Sequence, residues 1–62
     1  MKNKTFTVDV PEQLNYESQL GMTLAIRKIP YKDRRGALGY RLVSAGEAAN
    51  GRRQLVIRAT FK

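Results

Sequence analysis

The side chains best equipped for chemistry in this chain are basic. In Arg27-Lys28-Ile29-Pro30-Tyr31-Lys32-Asp33-Arg34-Arg35-Gly36, the cations are Arg27, Lys28, Lys32, Arg34 and Arg35, Tyr31 offers an aromatic face, and Gly36 lets the backbone approach a ligand closely. Lysines and arginines that reach separate phosphates bind a nucleic-acid backbone, and an aromatic ring beside them gives an unpaired base a surface to stack on. The same run also reads as a solvated loop that keeps a small chain in solution, with Tyr31 packed on the core. A second set, Arg41, Arg58, Arg52 and Lys62, falls on the polar side of a C-terminal hairpin, and Arg52-Arg53 closes the tip Glu47-Ala48-Ala49-Asn50-Gly51. A two-stranded ribbon fits the major groove of B-DNA, and arginine is drawn into narrow minor grooves, so both features suit the same partner. Their plainer alternatives are an exposed sheet face and an ordinary turn.

Catalysis has little to work with. The chain has no His and no Cys, which removes imidazole bases, thiolate nucleophiles, disulfides and the usual zinc ligands. Asp9, Glu12, Glu17, Asp33 and Glu47 are scattered, and only Asp9 and Glu12 lie close in sequence, on either side of Pro11. Gly36, Gly39, Gly46 and Gly51 match no nucleotide-binding loop. A non-enzymatic protein with no cofactor and no metal is expected.

Charge is distributed unevenly. The 62 residues carry 12 Lys+Arg and 5 Asp+Glu, a net +7. Lys2 and Lys4 against Asp9, Glu12 and Glu17 make −1 over residues 1–26, and the other ten basic and two acidic residues make +8 over residues 27–62. Such a field attracts a polyanion over a Debye length of about 8 to 10 Å. The length allows one domain, 1–62, which buries only about 60% of its unfolded surface, so support from a homo-oligomer or another partner is expected. The longest apolar stretch, Leu24-Ala25-Ile26, is far short of a membrane span, and Met1-Lys2-Asn3-Lys4-Thr5 leads into no apolar signal segment. A cytoplasmic protein with no membrane partner is expected.

The elements that must position these residues are mostly strands. Thr5 to Val10 alternates, with Phe6, Val8 and Val10 on one side, and should stop at Pro11, which has no N–H for a ladder. Glu12 to Leu20, ahead of Gly21, allows one short helix. Met22, Leu24 and Ile26 alternate with Thr23, Ala25 and Arg27 and predict a second strand, kinked near Lys28 by the parity break at Ile29 before Pro30. Lys32 to Gly39 reads as a loop. Asn50-Gly51 is the preferred pair for a type I′ turn and joins strands over Tyr40 to Ala45 and Leu55 to Phe61. With a two-residue loop, Tyr40 meets Phe61, Leu42 meets Ala59, Ser44 meets Ile57 and Gly46 meets Leu55, which puts the bulky apolar residues on one face. The other face pairs Arg41 with Thr60, Val43 with Arg58 and Ala45 with Val56; a four-residue loop over 49–52 keeps the same parity.

Thr5 to Leu14, a strand followed by Pro and an acidic start, resembles the first half of a ribbon-helix-helix DNA-binding protein. That fold requires a second helix over Tyr40 to Phe61, where the residues instead alternate with period 2 around a hairpin turn. The assignment is therefore set aside. The resulting expectation is a mainly β, small α+β domain, with an antiparallel sheet of about four strands, a C-terminal β-hairpin and room for one short helix. Its expected function is binding of DNA or RNA, chiefly through phosphates. The alternative is a protein–protein interaction module, such as an enzyme regulator or an assembly subunit with an acidic partner.

Overall fold

Phe6, Val8 and Val10 do line one side of a strand. In the computed structural model, which describes residues 1–62, this strand, β1, runs Lys2–Pro11 and ends at the proline as expected. It is followed by helix α1 (Gln19–Ile26), a one-turn helix α2 (Tyr31–Arg34), and strands β2 (Ala37–Ala45) and β3 (Arg52–Phe61). The sheet is antiparallel with order β1-β3-β2, so it has three strands where four were expected.

The missing strand is α1. Met22, Leu24 and Ile26 alternate, but Gly21, Ala25 and Ile29 are buried at a four-residue spacing, and Met22 and Ile26 pack beside them. That is the spacing of one face of a helix. The period was masked because Leu20 and Leu24, on the outer side, are apolar although exposed by 71% and 41%. Ser18 starts the helix: its Oγ accepts a hydrogen bond from Gly21 N–H at 3.0 Å and donates one to the Asn15 carbonyl at 2.8 Å. An N-cap of this kind is typically worth about 1 kcal/mol. Residues 12–18, where a helix was allowed, form successive turns instead.

Gly21 therefore stands in the first turn of a helix and does not terminate one. A Cβ at this position would overlap the Asn15 carbonyl oxygen. The expected loop over Lys32 to Gly39 also shrinks, because Pro30 leads directly into α2 and β2 begins at Ala37. Gly36, at φ 84°, makes the remaining reversal in a conformation that side-chain-bearing residues seldom adopt.

The hairpin turn forms as its residues predict. Asn50 and Gly51 have φ 56° and 76°, and Ala49 and Arg52 exchange backbone hydrogen bonds of 2.8 and 3.0 Å. The expected register does not persist along the strands. Ala45 pairs with Leu55 and Ser44 with Val56, one residue out of step with the turn, and an irregularity after Leu42 moves the pairing once more. Tyr40 thus meets Ala59, Leu42 meets Ile57 and Arg41 meets Arg58. Two slips restore the parity, so Tyr40 and Leu42 keep the apolar face. Between the slips the faces exchange: Ala45 packs on the core, whereas Ser44, expected inside, is exposed. Bulges of this kind leave one residue unpaired and increase local twist, which turn chemistry alone does not foretell.

β3 lies centrally and is the most deeply buried element, with Leu55, Ile57 and Ala59 at 0% exposure. Val8 and Val10 join them from β1, and Ala25 and Ile29 close the core from the helical side. No residue of α1 or α2 belongs to a layer on the opposite face, which is left to Asn3, Thr5 and Thr7 of β1 and the even-numbered residues of β3. No helix is long and apolar enough to cross a membrane.

A Gly-to-Ala change inside a helix ordinarily stabilises by about 0.5–1 kcal/mol. Gly21→Ala is expected to do the reverse, because the new methyl must displace the Asn15 turn, and a thermal melt followed by circular dichroism should show a lower Tm. An unchanged or higher Tm would mean that the 15–18 turn is not held against α1.

Candidate nucleic-acid interface

Parity along β1 and β3 sorts the cations onto two faces. Lys2 and Lys4 share the side of Phe6, Val8 and Val10, and the pairing of Lys2 with Phe61 brings the two chain ends together. There Lys2, Lys4 and Lys62 meet Lys32 and Arg35 from the segment around α2, around a cleft floored by Phe61. Asp33 is the only carboxylate in its lining. Five cations from three separate parts of the sequence thus converge on one end of the sheet.

The reverse face holds the second feature. Arg41 of β2 and Arg58 of β3 are direct cross-strand partners, and Thr5 of β1 lies on the other side of Arg58. The two arginines line a shallow depression with Asn3, Gly39, Tyr40 and Thr60, where Thr60 Oγ1 donates to Asn3 Oδ1 at 3.1 Å. Like charges facing each other across a ladder are destabilising. Nothing nearby relieves this pair, because Arg52–Asp9 is the single ion pair in the molecule.

The strip that the sequence suggested is accordingly divided. Lys32 and Arg35 belong to the five-cation cleft, and Arg41 and Arg58 form the exposed pair. Tyr31 is 69% exposed, and the Arg34 guanidinium lies 5.5 Å from its ring centroid while Arg34 Nε donates to the Ile29 carbonyl at 3.0 Å. Arg27 and Lys28 rim a different feature, a groove with Val10, Pro11, Leu14 and Leu24. Arg52 and Arg53 lie at the hairpin end, away from Lys62. Arg52 Nε donates to Asp9 Oδ2 at 2.8 Å, and its Nη2 to the Asp9 carbonyl at 3.3 Å. Arg53 points to the helical side, 5.3 Å from the Tyr16 centroid, and donates to the Gly46 carbonyl at 3.3 Å.

Asp33 apart, Asp9, Glu12 and Glu47 lie toward the hairpin end. Asp9 binds Arg52, Glu12 N–H donates to the Gly51 carbonyl, and Glu47 lines a depression with Asp9 and Arg53. Across a molecule 36 Å long, one end is therefore strongly positive and the hairpin end nearly balanced. Lys2 and Lys4 were missed as site residues because they sit in the segment of net −1. The signal that finds them is antiparallel pairing of the first and last strands, which brings Lys2 to Phe61. Comparison of the chain with protein-family models, curated proteins and solved structures finds no match.

Opposed arginines make a specific electrostatic expectation. Arg58→Thr, which keeps a strand-forming residue, should raise stability by about 0.2–1 kcal/mol at low ionic strength. Near 1 M salt, where the Debye length is about 3 Å, the gain should disappear. Urea melts at the two salt concentrations measure it, and an equal effect in both would show that charge repulsion is not its cause.

Proposed function

We propose that this is a small, basic, non-enzymatic protein that binds a nucleic acid chiefly through its phosphates. The observation that carries the reading is the convergence at one end of the sheet. Lys2, Lys4, Lys32, Arg35 and Lys62 surround one cleft with a single carboxylate, and Arg41 and Arg58 face solvent side by side on the reverse. Charge kept only for solubility is better dispersed, since clustering like charges costs stability. A polyanion supplies the missing counter-charge and releases its own condensed cations when it binds.

A second reading, docking on an acidic protein, is favoured by a different region. Leu20 and Leu24 are exposed on α1, and the groove of Val10, Pro11 and Leu14 beside Leu24 is rimmed by Arg27 and Lys28. A stoichiometric protein partner retained from nuclease-treated lysate would favour this reading.

Fluorescence anisotropy with a labelled oligonucleotide tests the first. The logarithm of the association constant should fall with log salt by about 0.9 for each duplex phosphate neutralised, giving a slope of about −3 to −5. Lys32→Gln together with Arg35→Gln should make the slope shallower by about 2, whereas Arg52→Gln, whose charge is already held by Asp9, should change it less. A slope near zero for the unaltered protein would remove the proposal.

A further inference from the structure

We infer that the uncovered face of the sheet is a docking surface for B-form duplex DNA, entered through the major groove with Arg41 and Arg58 at its centre; this rests on the nucleic-acid reading above. The first support is what the face lacks. Binding of single strands depends on aromatic side chains on which successive bases stack. The chain has five aromatic residues, three Tyr and two Phe, and only Tyr40 borders this face, in the lining of the Arg41–Arg58 depression. Phe6 and Tyr40 pack against the core, Phe61 floors the cleft on the helical side, and Tyr16 lies against Arg53. Tyr31, the one strongly exposed ring, stands on α2, whose neighbours Lys32 and Asp33 line the helical-side cleft. A base stacked on Tyr31 would therefore lie on the side of the molecule away from Arg41 and Arg58.

The second support is what the face presents. Two adjacent rows cross all three strands: Thr5, Arg58 and Arg41 in one, Thr7, Val56 and Ser44 in the next. Arginine reads guanine O6 and N7 with two hydrogen bonds, hydroxyls serve as donors or acceptors to either edge, and an apolar side chain meets the thymine methyl. These are the side-chain types that a groove floor requires. The charge has the right sign and lacks any internal partner, as the single ion pair elsewhere shows.

The third support is shape. A B-form major groove about 12 Å wide admits a two-stranded ribbon, and β2 and β3, whose paired Arg41 and Arg58 face the open side, form one with β1 along its flank. The deep, narrow major groove of an A-form RNA duplex does not admit such a face. The cations at the chain ends lie on the other side of the sheet and add to the field that attracts a polyanion without entering the groove.

The test is an anisotropy titration of the full chain at one salt concentration against three labelled probes: a DNA duplex, one of its single strands, and an RNA duplex of the same sequence. The DNA duplex should bind about tenfold or more tightly than either alternative. Arg41→Gln with Arg58→Gln should erase that preference, and because it removes a like-charge pair the variant should fold, as circular dichroism will check. Lys32→Gln with Arg35→Gln should weaken all three probes by similar factors. Equal or tighter binding of the single strand or of the RNA duplex would overturn the groove assignment while leaving the nucleic-acid reading in place. Failure to bind any probe would overturn that reading, and the groove assignment with it.

Discussion

β3 is hydrogen-bonded along both edges but covered on one face only, and that constraint organises the rest of the molecule. Its odd-numbered residues, Leu55, Ile57 and Ala59, must fill the one core the chain has, because α1 and Ile29 offer nowhere else to bury apolar surface. Since side chains alternate strictly across a strand, its even-numbered residues are then committed to solvent. Val56, Arg58 and Thr60 thus occupy the centre of an open face because their neighbours occupy the centre of the core. Both flanking strands inherit this division through their pairing, which places Thr5 and Arg41 on either side of Arg58.

Features encoded within a few residues of each other were legible in the sequence. The alternation around Phe6, Val8 and Val10 gave β1, Pro11 ended it, and Asn50-Gly51 gave the turn, because each depends on local backbone preference. Features that depend on packing were not. Leu20 and Leu24 lie on the exposed side of α1, so an apolar count showed period 2 where burial has the period of a helix. The slips between Ala49 and Leu42 arise from how β2 must twist to keep Tyr40, Leu42 and Ala45 on the core, and no turn rule contains that requirement.

The candidate site shows the same division. Basic residues were identifiable from composition, yet dividing the chain at residue 26 gave the wrong partition of charge. The sheet separates charge by end, not by segment: Lys2 and Lys4 join Lys62 through strand pairing, while Arg52 and Arg53 are carried to the hairpin end and engaged by Asp9, Tyr16 and Gly46. A run of cations in sequence therefore became several small sets in space. Pairing parity was the more informative guide, since it separated Arg41 and Arg58 from the core before their partner positions were known.

A domain with so small a core has little stability to spare, and single hydrophobic cores of this size rarely supply more than about 3–5 kcal/mol. Against that margin the Arg41–Arg58 pair is a measurable cost, which a polyanion on the open face would offset by neutralising both charges. A ligand that binds only the folded chain also raises stability by RT ln(1 + [L]/Kd), about 2.7 kcal/mol at a hundredfold excess over Kd. On the groove reading, Arg41 and Arg58 contribute to both terms. On the proposed reading, folding and anion binding are linked: the like-charge pair that costs the free chain stability is one that a bound polyanion would neutralise.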